Sequence, residues 1–447
     1  MGFFLTVLYC AFALVSPASV FPELAPFRIQ LWIAGLALLA SVPNLHRSRL
    51  FSLPQTYLML GLIFATGWSL IANRWFGGAL AAWENFIPSA TVFFLIVLNC
   101  TSLARLRTLA IIVVATALTI ALSGIPAYWF RPDTSTLVLV ENSPAGELHR
   151  LRGLGFLNDP NDLAQFFVLC MATLAIAWRK NPVWNLVVVV IPTAIFAYSV
   201  YLTHSRGAVL AIAVVLLLAL REKLGHFASV TLTTIAVLGM LALNFGAGRG
   251  LADESTSNRL QAWGAGIAFL KDSPLFGIGY GQFQDAFEIT AHNSWILCAA
   301  ELGLFGFFFW TGLIVFSLAD LNGILKSVSR TDVKLRSSAD GEAHTEAVEP
   351  SPAATDQEQQ ILRWARWIRL ALAGFLAAAW FLSRAYVMTL YLYIGIAVAL
   401  RAIAEQHSPH PEPTVTRHSI RKLALVTVGM EVVSVLFLYV IVRVRPV

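Results

Sequence analysis

The sequence predicts an all-α membrane protein, a single bundle of about 12 to 13 transmembrane helices spanning residues 1–447. Three observations carry that prediction. Hydrophobic residues make up 57% of the chain and charged ones 13%, with a mean hydropathy of +0.71, whereas a soluble globule would hold about 25% charged residues. Apolar runs long enough to cross roughly 30 Å of hydrocarbon recur from one end to the other. The basic residues sit in short clusters between those runs.

Taken in order, the spans are expected at 3–20, 27–43, 54–72, 84–100, 106–125, 161–178, 183–201, 207–220, 226–245, 293–318, 364–382, 385–402 and 423–442. The first lacks a basic n-region and a small-residue cleavage site, so it reads as a retained helix and not as a signal peptide. Lys and Arg accumulate on the cytoplasmic side of membranes. With the N-terminus inside, Arg47, Arg49, Arg105, Arg107, Arg179, Lys180, Arg221, Lys223 and the cluster 326–369 all fall there. Arg443 and Arg445 are the exceptions, left outside by the last span. The same orientation puts two long loops outside, 126–160 and 246–292, both expected to carry short helices, together with the short turn 203–207.

Residues 327–360 are rich in Ser, Ala, Glu, Asp and Pro, too poor in apolar groups to build a core, and are expected to form a disordered cytoplasmic linker. The formal charge of +6 orients helices and tracks no phosphate backbone, so no nucleic-acid partner is expected. Cys10, Cys100, Cys170 and Cys298 lie in or beside apolar spans without metal-ligand spacing, which predicts neither disulfides nor zinc.

Ionisable groups at membrane depth are functional candidates by default, because each costs about 2.5 to 3.5 kcal/mol there. The segment TAHNSWILCAAELGLFGFFFW (290–310) holds two, His292 at the mouth of a span and Glu301 inside it. An imidazole titrates near neutrality and can take a proton from an attacking hydroxyl; a helix cap is the competing role, open also to Asn293 or Ser294. Nine residues on from His292, Glu301 lies about 900° further round, on the opposite helix face, and some 13 Å deeper. Glu301 is therefore read as a structural group, with Gly303 and Gly306 letting its face pack closely.

Three arginines run against the positive-inside bias: Arg152 in HRLRGLGF, Arg206 in THSRG and Arg259 in SNRLQAW. A guanidinium stays charged and its fork of donors fits phosphate oxygens, although arginines at span ends also snorkel merely to anchor a helix. Arg131 and Arg249 read as such ordinary surface groups. RGLGF and GIGYGQF lack the βαβ context of a nucleotide site and are expected to shape turns. Asn158, Asp159, Asn161 and Asp162 around Pro160 can cap the following span, and without a second carboxylate cluster they define no metal site.

RGLGFLNDPNDLAQFF, THSRGAVLAI, SNRLQAWGAGIAFLKDSPLFGIGYGQF and AHNSWILCAAELGLFGFFFW occur in that order. Together they resemble the O-antigen ligase and O-antigen polymerase family of bacterial envelope biosynthesis, over about residues 150–310. The resemblance implies a GT-C-like, multi-pass enzyme of the bacterial inner membrane with its active site facing the periplasm. Such an enzyme moves a glycan from undecaprenyl diphosphate to an acceptor hydroxyl on lipid A core, another glycan or a protein, with neither cofactor, metal nor nucleotide sugar. By motif, Arg206, Arg259 and His292 carry over as catalytic residues. Arg152, Arg206, Arg259, Tyr280 and Asn293 are the candidates for holding diphosphate or glycan. The long linker after Ser327 and a possible extra C-terminal span depart from the pattern and leave the subfamily open. A transporter or flippase is the alternative from another class; it would place its charges near the membrane midplane and often in repeated halves, and no internal repeat stands out here.

Overall fold

The computed structural model describes residues 1–48, 50–143, 146–242, 254–339, 352–407 and 417–444. Arg49, Arg249 and Arg445, the first part of the second long loop and the middle of the expected linker lie outside the described residues. The chain opens with α1 (Gly2–Val15), α2 (Pro17–Val20), α3 (Ile29–Ser41) and α4 (Leu45–Ser48), followed by the long helices α5 (Pro54–Ala72), α6 (Phe76–Asn99) and α7 (Leu103–Phe130). A hairpin of β1 (Val138–Ser143) and β2 (Gly146–Leu151) precedes α8 (Pro160–Leu174). Then come α9 (Pro182–Asn185), α10 (Ile191–Thr203), α11 (Arg206–Ala242), α12 (Glu254–Asp272), α13 (Phe283–Phe287) and α14 (Ser294–Ala339). The chain closes with α15 (Pro352–Ala379), α16 (Met388–His407) and α17 (Arg417–Val444).

Ten helices among the described residues are long and apolar enough to cross a membrane. The three further spans expected from sequence are the two halves of α11 and the helix α15, whose Arg363, Arg366 and Arg369 interrupt an otherwise apolar run. α15 nevertheless packs between α8, α11, α14 and α16, with Ile368, Ala371 and Phe375 buried. The backbone is helical over 327–339 and 352–360, the two ends of the expected linker.

The first long loop was expected to carry short helices, yet its main element is an antiparallel hairpin pairing Val138 with Leu151 and Leu139 with Arg150. The run Val138-Leu139-Val140 at the start of β1 favours strand. One face closes onto the bundle through fully buried Leu151, which lies against Gly124 of α7.

Several buried polar groups inside the bundle are satisfied in pairs and knots, as a setting without water favours. Asn99 at the end of α6 donates to Thr6, Ser41 and Leu95 and accepts from Asn44, tying α1, α3 and α6 together. Gln55 of α5 donates to Asp320 of α14 across 2.6 Å.

Two glycines fold long apolar helices back on themselves. Gly225 (φ 79°, ψ 179°) interrupts α11, and Gly303 (φ 63°, ψ −173°) interrupts α14, both in a backbone region open essentially to glycine alone. Trp295 and Trp310 show the reversal in α14: a straight helix would hold them about 22 Å apart, yet their ring centroids are 4.9 Å apart. In α11, Met240 after the break and Ile212 before it line one cavity, in keeping with the two separate spans expected there.

The fold at Gly303 corrects the placement of Glu301. His292 has φ 49° and stands outside the helix, which begins at Ser294 and turns back at Gly303. The angular and depth count from His292 to Glu301 therefore does not apply. Glu301 sits at the turn, next to the loop 274–283, while His292 lies at the opposite end of the half-helix 294–302.

Candidate functional site

The loop carrying His292 is held from two sides. Trp263 of α12 donates its indole N–H to the Ala291 carbonyl at 3.0 Å. Thr290 donates to the Ser383 hydroxyl at 2.6 Å, and the Ser294 hydroxyl donates to the Leu382 carbonyl at 2.6 Å while accepting the Arg384 amide at 2.7 Å. Asn293 caps the half-helix, its Oδ1 accepting from the amides of Trp295 and Ile296 at 2.9 and 3.1 Å. With the cap supplied by Asn293, the half-buried His292 is relieved of that structural task. Asn293 itself is fully buried, and its Nδ2 has no partner among the described residues.

Arg206 and Arg259 approach the same loop from different elements. Arg206 opens α11, whose Ser205 accepts the Ala208 amide. The next residue, Gly207, lies so close to Leu382 that a Cβ there would stand 3.1 Å from its side chain. Leu382 is thus the link between THSRG and HNS. Arg259 lies one turn before Trp263 on α12, and residues four apart share a helix face. The indole bond to Ala291 therefore fixes the face that carries Arg259 beside the His292 loop. The loop 380–387, between α15 and α16, joins THSRG to the His292 loop, and α12 meets the His292 loop through Ala291.

That loop also contains the residue the sequence reading missed. Arg384 reaches Asp159 at 3.0 Å and is paired with Asp162 through Nε. Asp159 caps α8, accepting the Asn161 amide at 2.7 Å. Burial raises the Asp159 carboxyl, but the charge of Arg384, the Asn161 amide and Arg150 outweigh it and hold the group below the ordinary carboxylate range. A second buried cation, Arg150, donates to the Thr203 carbonyl, Glu141 and Asn161 at 2.9, 2.9 and 3.3 Å. The NDPND acids are therefore engaged by arginines.

A signal for Arg384 was present: under the orientation that singled out Arg206 and Arg259, it too is an arginine in an outward loop. Arg150 stood two residues from Arg152, and only the end of the strand tells them apart. Arg150 lies inside β2 and is 5% exposed, whereas Arg152 follows the end of the strand and is less buried, with its Nε on the Thr136 carbonyl at 3.0 Å.

Tyr280, Glu301 and Tyr386 form a neighbouring cluster. The Tyr280 and Tyr386 rings lie 4.7 Å apart, and the Tyr280 amide donates to Ser69 at 3.0 Å. Burial, followed by the nearby Glu301, raises the Tyr280 hydroxyl well above its usual range, so it stays protonated. Glu301 Oε1 accepts the Phe283 amide at 3.2 Å; Oε2 and the Tyr386 hydroxyl interact electrostatically, yet neither makes a hydrogen bond among the described residues. GIGYG places glycines 277, 279 and 281 at positive φ, as turn-shaping requires. The turn lets the Ile278 and Gly279 amides meet the Ala300 and Glu301 carbonyls while Leu304 and Phe305 donate to Pro274 and Leu275. The backbone groups freed by the fold at Gly303 are thereby satisfied.

Beside the 380–387 loop opens a cavity of about 330 Å³, lined by Ser16, Asn85, Phe156, Ser383 and Tyr386 among others. A larger one lies at the other end of the bundle. On the first hairpin, Asp133, Glu147 and His149 each bring one donor atom to within 4.8 Å of the others, with His149 Nε2 3.4 Å from Asp133; this group is separate from the three motifs.

The fold is a largely helical bundle with ten helices long and apolar enough to cross a membrane among the described residues. Residues 191–311 match the family described as O-antigen ligase. The matched segment contains THSRG, NRLQAW, GIGYG and HNSW, and its similarity to that family supports a membrane glycan transferase of ligase or polymerase type. No curated protein matches the chain.

Proposed function

We propose that this protein transfers a glycan from undecaprenyl diphosphate to an acceptor hydroxyl at the periplasmic face of the bacterial inner membrane. The observation that carries the reading is that the His292 loop is held on one side at Leu382–Arg384, where THSRG also packs, and on the other by the Trp263 face of α12. In this mechanism the acceptor oxygen attacks the anomeric carbon, and the bond from that carbon to the diphosphate oxygen breaks. His292 takes the hydroxyl proton as the new bond forms.

Arg206 and Arg259 stabilise the negative charge that grows on the departing diphosphate, and fixed donors aimed at developing charge are a large catalytic term. With arginines in that role no metal is required, so EDTA should leave the rate unchanged. Arg152 has one nitrogen engaged by Thr136 and serves at the periphery of the donor. Tyr280 and Asn293 border the path of the glycan.

One displacement inverts the anomeric carbon, whereas a retaining route needs a carboxylate nucleophile. Asp159 and Asp162, which meet the 380–387 loop, are held by Arg384. The experiment is transfer by the purified full chain from a lipid-linked donor of known anomeric configuration, with the product read by NMR. Inversion is expected; retention overturns the mechanism. The acceptor class is read from a deletion strain: unligated polymer marks a ligase, single repeat units a polymerase, and unglycosylated protein an O-oligosaccharyltransferase.

A further inference from the structure

A large cavity lies away from the candidate site. It occupies about 1660 Å³ between α8, α10, α11 and α15, more than the roughly 300–1,000 Å³ of ordinary small-molecule pockets. Four helices fix its position. α8 begins at the Asp162–Arg384 pair and ends at the cavity rim by Trp178; α11 begins at Arg206 and reaches the rim at Glu222 and Lys223. α14 has Ser294 at one end and Leu325 at the other, and α15 runs from Arg363 at the rim toward Arg384. Sixteen residues of helix from Asp162 to Trp178 rise about 24 Å, so the rim stands at the opposite membrane surface from the site.

The walls divide by chemistry. The depth is apolar, with Val168, Ala172, Val189, Ile212 and Val215 from three helices. The rim carries Arg179, Lys180, Lys223, Arg363 and Arg366 against one acid, Glu222. Arg366 is paired with Glu222 at 2.8 Å, Arg363 donates to the Trp178 carbonyl at 2.8 Å, and Arg179 stacks on Trp184 at 4.0 Å. Lys180 and Lys223 pair with no acid among the described residues. A net-cationic rim over an apolar shaft fits a ligand with a phosphate at the surface and hydrocarbon beneath it, and basic pockets between membrane helices bind anionic headgroups in this way.

We propose that this cavity is a binding site for an anionic phospholipid, its phosphodiester at Lys180 and Lys223 and its acyl chains between α8, α10 and α11. A free phosphate would leave the shaft empty, and a zwitterionic lipid would leave the rim charge uncompensated. The proposal rests on the membrane reading of the fold and is independent of the glycan chemistry.

The test is native mass spectrometry of the delipidated full-length protein titrated with dioleoyl phosphatidylglycerol, dioleoyl phosphatidylethanolamine or inorganic phosphate. Selective retention of phosphatidylglycerol is expected. Each surface cation contributes about fivefold, so Lys180→Gln/Lys223→Gln should weaken retention roughly 25-fold. Ala197→Trp, which fills the shaft without changing charge, should abolish it. Equal retention of both lipids by the wild type, displacement by inorganic phosphate, or undiminished binding to the Ala197→Trp variant would overturn the proposal. The wild-type comparison decides even if a variant fails to fold.

Discussion

Gly225 and Gly303 perform the same backbone operation in two different settings. Each turns an apolar helix back at nearly identical φ and ψ. Around Gly225 no atom lies within 4 Å of where a Cβ would stand, whereas at Gly303 a Cβ would overlap the Leu275 carbonyl and the Phe276 amide. Gly225 lies between helix ends near the cationic rim. Gly303 is braced by backbone hydrogen bonds from 274–279, and the half-helix it creates carries His292 at its start. Gly225 reverses the chain in open space, whereas Gly303 reverses it against a braced loop.

The largest effect that would sharpen this contrast is expected of Gly303→Ala. Backbone strain of about 1–3 kcal/mol adds to displacement of the 274–279 loop, for a loss above about 3 kcal/mol, seen as a lowered unfolding temperature in detergent and lost transfer. Stability equal to wild type would break the comparison.

Arg384→Ala comes next. It leaves Asp159 and Asp162 without their cation, and removing one partner of a buried pair costs about 3 kcal/mol. Adding Asp162→Asn should recover part of that loss, measured by thermal unfolding of both variants. The pH dependence has a definite sign. Because Asp159 is depressed in the folded protein, its stabilisation is fully present above the unfolded carboxyl value of about 3.9. It disappears as pH falls through the lower folded value. Arg384→Ala should flatten that acid limb.

Gly225→Ala should have the smallest effect, about 1 kcal/mol from strain alone, with transfer unchanged. A loss matching Gly303→Ala would show that the open turn is as constrained as the braced one.

Long-range pairing decides what was legible before the structure. Helical spans follow from local composition, so α5 to α8 fall close to where hydropathy puts them. The motifs around Arg206, Arg259 and His292 stand out because charge at a membrane surface is rare. The fold at Gly303 could not be seen: ELGLF reads as continuous helix, and the turn exists because residues 274–279, far back in the chain, supply its hydrogen bonds. The hairpin 138–151 was missed for a related reason, since its pairing is set by strand register and by Leu151 against α7. Arg384 was visible as an exception to the charge rule, but its importance depends on acids more than two hundred residues earlier.

The central claim is that His292, placed at the start of the half-helix, acts as base for the attacking hydroxyl. The direct measurement is single-turnover transfer from purified lipid-linked donor by wild type and His292→Ala, with folding checked by thermal unfolding. A general base contributes about 10²–10⁴-fold, so a rate lower by that factor is expected, with donor binding retained. Transfer by His292→Ala at the wild-type rate would contradict it.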